Sequence, residues 1–254
     1  MMSERYSIWR RHLLQSMALA VPAMAMRPGR RPAMAAPAGE GWQVLSPTEV
    51  ALLEPLVARL IPADNLGPGA LEAGVAHYID RQMATPWAEG DHFYAEGPFE
   101  AGLPTQGYQF SHTPAALFRM GLVRLGEVVQ QQHNTPFQNL SPEAQDAVLT
   151  QLEKGELDLS PVPGPLFFQT VLDLTMEGFF ADPIYGGNRD MVGWKLVGFP
   201  GYYSSYVAEI ERHNLPFTRP PQSLADLARA HAEDAQHGHA PSPQHVGHEG
   251  GQHP

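Results

Sequence analysis

Cysteine is absent from the 254 residues. The chain therefore forms no disulfide, offers no thiolate nucleophile, and cannot hold an iron–sulfur cluster or a thioether-linked haem through its own thiols. No stretch approaches twenty apolar residues. The run from Leu13 to Ala25 is broken by Gln15, Ser16 and Pro22. At 1.5 Å per residue it makes about 20 Å of helix, short of the ~30 Å hydrocarbon core of a bilayer. Period-two alternation is missing over any length that would claim a strand. Catalytic signatures are missing as well: the chain has no G-x-S-x-G elbow, no H-E-x-x-H and no G-x-G-x-x-G. The segment from Gly187 to Lys195 has the wrong spacing for a P-loop, since Trp194 directly precedes Lys195 and a helix rather than a strand comes before it.

Basic residues are scarce. Lys and Arg number 16 against 27 Asp and Glu, a formal net charge of −11. Six of the arginines lie in the first 36 residues (Arg5, Arg10, Arg11, Arg27, Arg30 and Arg31), with Glu4 the one acid there. The remainder carries 10 basic and 26 acidic residues, a net charge of −16. A body so acidic repels nucleic acid and anionic lipid head groups.

The cationic start has a pattern of its own. Trp9-Arg10-Arg11-His12-Leu13-Leu14 sets two arginines ahead of a short apolar run that ends in Ala23-Met24-Ala25, a small-x-small cleavage pattern. Paired arginines before a modest apolar region are the twin-arginine arrangement, used for cargo exported already folded. An ordinary secretory signal that happens to hold two arginines is the other reading. Ala33-Met34-Ala35 is a second candidate cleavage site. Residues 1–36 are thus expected to be signal and cleavage region, and the mature protein periplasmic.

Residues 37–230 read as one all-α domain. Ser46-Pro47-Thr48-Glu49 is a capping box with proline at the first helical position. Pro55, two turns in, predicts a kink or restart. Gly69 to Met83 reads as a second helix. Thr113-Pro114 and Ser141-Pro142-Glu143 start a third and a fourth, the latter ending near Lys154-Gly155. Phe167 to Phe180 is the fifth and the most apolar. Gly201 to His213 reads as a sixth, with Tyr203, Tyr206, Val207 and Ile210 on its buried face. Gly and Pro together make 49 residues, about 19% against an average near 12%, and the excess falls in loops and at the ends. The long connection from Thr85 to His112 holds six aromatics (Trp87, Phe93, Tyr94, Phe99, Tyr108 and Phe110), which argues against disorder. It is either an arm laid across a partner or a loop folded over its own domain.

The most informative stretch runs from Asp182 to Gly201. It packs five glycines, two prolines and three aromatics into twenty residues. Such a segment is neither an amphipathic helix nor a strand; it is a shaped loop, either tying helices together or docking a partner. As a docking surface it would use Tyr185 and Trp194 as aromatic anchors. Arg189 would supply a planar charged contact, with Asn188, Asp190 and Lys195 beside it, and Gly186 and Gly187 would let the backbone approach closely.

Glu177-Gly178-Phe179-Phe180-Ala181-Asp182-Pro183-Ile184-Tyr185-Gly186-Gly187-Asn188, then Gly193-Trp194-Lys195 and Gly198-Phe199-Pro200-Gly201, resembles the signature of the gluconate 2-dehydrogenase subunit 3 family. Weaker matches lie at Gly107-Tyr108-Gln109 and Leu140-Ser141-Pro142, and the resemblance spans roughly Ser46 to Phe217. It implies a non-catalytic accessory subunit of a periplasmic sugar or sugar-acid dehydrogenase. In that picture a large flavoprotein subunit binds FAD and oxidises the alcohol, and a cytochrome subunit with haem c passes the electrons on. The small subunit escorts the signal-less large one through twin-arginine export. This chain itself would hold no cofactor and no metal. Its acidity also argues against direct capture of an anionic sugar acid.

From residue 231 to 254 the chain is rich in Gly, Pro and His, with six of its twelve histidines: His231, His237, His239, His245, His248 and His253. Their irregular spacing on an unscaffolded segment predicts a disordered tail with incidental metal affinity. A free-standing secreted binding protein that handles metal through this tail is the alternative reading of the whole chain. His77, His92 and His112 are weak candidates for catalytic bases. His133 and His213 sit near expected helix ends, where the dipole accounts for them.

Overall fold

The computed structural model describes residues 41–91, 93, 96–100, 103, 109–203, 209–211, 213–215, 217 and 219–236. Among the described residues lie seven α-helices and no strand: α1 (Pro47–Leu60), α2 (Val75–Met83), α3 (Pro114–His133), α4 (Pro142–Glu153), α5 (Gly164–Phe180), α6 (Val192–Val197) and α7 (Leu224–Gln236). The all-α expectation holds. Short 3₁₀ turns at Phe137–Asn139, Pro183–Tyr185 and Arg189–Met191 punctuate the connections.

The Ser/Thr-Pro starts work as the sequence predicts. The Ser46 hydroxyl accepts from the Glu49 amide at 3.3 Å, and the Glu49 carboxylate accepts from the Ser46 amide at 2.7 Å. Thr113 and Ser141 cap α3 and α4 by accepting from Ala116 and Ala144. Each such side chain satisfies one of the amides that a helix start leaves unpaired. Glu49 has a second role: Arg119 of α3 grips it with a fork, Nε to Oε1 at 2.7 Å and a terminal nitrogen to Oε2 at 3.2 Å. Burial alone would raise the Glu49 pKa, but Arg119 and the Ser46 hydrogen bonds outweigh it and hold the carboxyl below its ordinary value. A second fork, Arg59 to Asp146 at 2.7 and 2.6 Å, ties α1 to α4.

The most apolar helix becomes the centre, because only a helix apolar on most of its faces can be covered all round. Helix α5 meets α1, α2, α3, α4 and α6. Phe118, Phe137, Phe167, Phe179, Leu53, Leu56, Ile79 and Met83 are fully enclosed around it.

Five expectations are corrected. Gly74 takes a left-handed φ of 73°, so α2 starts at Val75 rather than near Gly69. Helix α1 runs through Pro55 as one helix, so the chain does not restart there. Ile210 is exposed, not buried. Gly201 and Tyr202 do not open a helix; they pair with Gln222 through Tyr202 N–H to Gln222 O (2.6 Å), flanked by Gln222 N–H to Pro200 O (3.1 Å). Residues 204–208 and 212, including Tyr206 and Val207, lie outside the described residues. Finally, α7 carries on to Gln236, past the expected start of the tail at 231. Its start has a signal that went unread: Ser223 and Asp226 bond each other's amides reciprocally at 3.1 and 3.0 Å.

The connection after α2 is anchored where it is described. Ala88 is buried, and its carbonyl accepts from Ala115 at the start of α3 (3.0 Å). Phe110 packs on the core, while Trp87 and Phe99 stay exposed. Tyr94 and Tyr108 lie outside the described residues, as do Arg10 and Arg11 and the histidines at 92, 237, 239, 245, 248 and 253. Among the described residues no helix is long and apolar enough to cross a membrane.

Candidate functional site

Helix α5 ends at Phe180 with carbonyls that no further turn can satisfy. The loop from Asp182 to Gly201 supplies the missing donors from its side chains. The Trp194 indole Nε1–H donates to Phe180 O at 2.7 Å, and the Asn188 amide donates to Ala181 O at 2.8 Å. The Asn188 carbonyl oxygen then accepts from the Gly193 amide at 2.8 Å, closing the loop on itself. Asn188 is 0% exposed and Trp194 6%. Both were expected to meet a partner. The structure instead turns them inward, because a buried helix end needs donors and these two residues carry them.

Two glycines make the approach possible. A Cβ on Gly187 would lie 2.1 Å from Gly178 O, and one on Gly193 would lie 2.1 Å from Phe179 O. The close backbone approach that the glycines predict is therefore made to α5. Gly186 reverses the chain at φ 101°.

What remains faces outward. Tyr185 is 51% exposed, and Arg189, Asp190 and Lys195 are exposed with it. Arg189 is displayed at some cost: Asn188, Asp190 and Met191 sit at φ 46°, 56° and 55°. Left-handed conformations of non-glycine residues cost roughly 1 kcal/mol each, and they gather where surrounding structure over-determines them. Here the buried Asn188 bonds and the Arg189 N–H to Ala73 O bond (2.9 Å) do so. Leu196, Val197, Phe199 and Tyr202 continue the exposed surface, with Phe199 edge-on to Trp194 at 5.1 Å. Asp182 braces the far side, accepting from Ile184 N at 3.0 Å and from Leu224 N of α7 at 2.8 Å.

Beside the loop lies a group that joins His77 and Arg189 to Arg81, which carries no sequence motif of its own. On α2, His77 and Arg81 are one turn apart and share a face. The Arg189 guanidinium lies over Gly74, where a Cβ would meet it at 3.2 Å; Arg81 lies over Gly186, where a Cβ would meet it at 2.6 Å. Trp42 stacks flat on His77 at 4.1 Å and 9°. Burial, then Arg189 and Arg81, push the His77 pKa below its ordinary value, so the imidazole is neutral at pH 7.

A second pair sits at the other side of Tyr78. Its hydroxyl donates to Glu177 at 3.3 Å. Burial raises the Glu177 pKa; the Tyr78 bond opposes this and Asp173, one turn back on α5, adds to it. A carboxyl whose folded pKa is raised penalises the fold above that pKa, and the penalty disappears as pH falls through it toward the ordinary 4.5. Glu177→Gln is expected to raise the melting temperature at pH 8, with the gain shrinking toward zero near pH 4. A thermal melt series over that range checks it, and a gain that grows on acidification contradicts it.

The class is that of an all-α protein whose central helix is closed at its C-terminal end by a glycine-tight loop. The chain belongs to the gluconate 2-dehydrogenase subunit 3 family, whose family model matches residues 47–201. The match takes in α1 to α6 and stops at Gly201. Membership makes the chain a subunit of such a dehydrogenase complex. No curated protein and no solved structure gives a significant match.

Proposed function

We propose that this chain is the non-catalytic small subunit of a periplasmic FAD-dependent dehydrogenase, and that it escorts the flavin subunit through twin-arginine export and stabilises it. The family match over residues 47–201 carries the reading. Arg10-Arg11 ahead of a short apolar run supports the route, because a flavoprotein that takes up its cofactor in the cytoplasm must cross the membrane folded. FAD sits on the partner, haem c on a cytochrome subunit reached through it, and membrane association comes through the complex. The docking surface is the outer side of the Tyr185–Lys195 loop, with Tyr185, Arg189, Asp190 and Lys195 facing the partner and Asn188, Trp194, Gly186 and Gly187 holding the loop in shape.

Export is the discriminating measurement. In cells expressing the whole complex, changing Arg10 and Arg11 together to lysine is expected to remove nearly all periplasmic flavin-dependent dehydrogenase activity while the cytoplasmic pool of flavoprotein remains. Undiminished periplasmic activity would sink the escort assignment.

A further inference from the structure

The body of this protein carries 26 acids against 10 bases beyond residue 36, yet two arginines among the described residues form no ion pair. Arg59, Arg119, Arg124, Arg219 and Arg229 each pair with a carboxylate. Among the described residues Arg81 and Arg189 do not, and neither guanidinium donates a hydrogen bond. The two come from different elements, α2 and the loop, and are brought to the same place. Arg189 lies over Gly74, Arg81 over Gly186, and the Gly186 carbonyl lies 3.5 Å from where a Gly74 Cβ would be. Arg81 is half-buried, and burial lowers its pKa by more than Asp80 raises it, the mark of a cation that has given up water without a full ion pair in return. His77, clamped under Trp42, adds an imidazole beside the two guanidiniums.

Asp80 offsets part of the Arg81 charge but forms no ion pair with it. Asp80 adjoins Arg81 in sequence, but its two oxygens are taken by the amides of Gln43, Val44 and Leu45. Two cations that both act on His77 are unfavourable neighbours, and displaying Arg189 between left-handed Asn188 and Asp190 adds to the cost. The arrangement is stabilised when an anion arrives. Guanidinium groups present paired N–H donors that match a carboxylate, and two of them can share one.

We propose that Arg81 and Arg189 together form a receptor for one carboxylate of the flavin subunit, an Asp or Glu side chain or the chain's C-terminus. The proposal rests on the accessory-subunit reading above. The occupant is a protein carboxylate because the loop that carries Arg189 also exposes Tyr185 and Phe199, with exposed Tyr202 just after it, the aromatics that with arginine dominate protein interfaces. Asn188 and Trp194 preset the loop, so the carboxylate meets donors already in position and little ordering is lost on docking.

The test uses the mature chain and its co-expressed flavin subunit, with affinity measured at two salt concentrations. Arg81→Gln and Arg189→Gln are each expected to weaken the complex about tenfold. The double variant should weaken it by less than the product of the two, because both act on one partner group. The salt dependence of binding should flatten in parallel. Arg→Lys at either position keeps the charge but loses the fork, and is expected to recover only part of the affinity. Melting of the isolated subunit should hold in all of these variants. An affinity unchanged within twofold in the double variant overturns the receptor and leaves the accessory role intact. Failure of the wild-type chains to associate at all overturns both. Affinity losses matched by a fall in melting for Gln and Lys variants alike assign the arginines to the fold. Acetate or inorganic phosphate binding to the isolated subunit through these arginines, with complex affinity unmoved by their loss, assigns the site to a free anion and also overturns the proposal.

Discussion

Gly193→Ala is expected to destabilise the subunit by about 3 kcal/mol and to open the loop without unfolding the helices first. The added methyl would lie 2.1 Å from Phe179 O and 3.1 Å from the Phe179 ring. A backbone oxygen in the last turn of a packed helix cannot step aside as a side-chain tip can. Either α6 moves off α5 or the α5 backbone distorts, and each costs more than a rotamer change. Moving α6 also breaks bonds that depend on its position. Trp194 Nε1–H leaves Phe180 O, and the Gly193 amide leaves Asn188. Phe180 O is then an acceptor without its donor at a largely buried helix end, itself worth about 1–3 kcal/mol. Gly187→Ala, with its methyl 2.1 Å from Gly178 O, should behave alike. Gly198→Ala is the control, since its Cβ would meet nothing within 4 Å and it carries only the cost of its φ of 71°. Urea unfolding monitored by tryptophan fluorescence separates them. If Gly193→Ala falls no further than Gly198→Ala, the loop does not seal the helix as described.

The helix starts were legible because their signals are local. Ser46-Pro47, Thr113-Pro114 and Ser141-Pro142 each name a cap and a first turn, and capping is settled within four residues. The central place of α5 was legible from its apolarity. The inward face of the Asp182–Gly201 loop was not. A glycine that admits a positive φ and a glycine that admits a neighbouring backbone read alike in sequence, as do a tryptophan offered to a partner and one that caps its own helix. Only the position of the α5 end distinguishes them. The Arg81–Arg189 pair was missed for a related reason: the two are 108 positions apart and meet only once α2 and the loop are in place. The i, i+4 spacing of His77 and Arg81 was the one local clue. The start of α7 had a readable Ser223-x-x-Asp226 signal, hidden by the Gly- and His-rich composition that follows it.

Asp80→Ala is expected to cost about 3 kcal/mol, and its loss should begin in the segment before α1 rather than in the substitution's own helix. Asp80 is 1% exposed on α2, and its carboxylate accepts three backbone amides in succession: Gln43 at 2.6 Å, Val44 at 3.0 Å and Leu45 at 2.8 Å. Hydrogen bonds to an ionised acceptor contribute more than neutral ones, and this carboxylate concentrates three on one short segment. That segment has no other backbone partner in the described structure, yet it must arrive at Ser46 in the geometry that caps α1 and must place Leu45 in the core. Alanine removes every acceptor at once. The amides can regain partners only by peeling out to water, which exposes Leu45 and lifts Trp42 from His77. Asp80→Asn keeps one acceptor oxygen and should lose about half as much. Amide exchange resolves the order of events: protection at 43–45 should vanish in Asp80→Ala while the α3–α5 core keeps most of its own. The variant should also loosen His77, whose flat contact with Trp42 depends on that segment. Uniform loss of protection across the helices, or none at 43–45, would contradict the account of Asp80 as the clasp of the N-terminal segment.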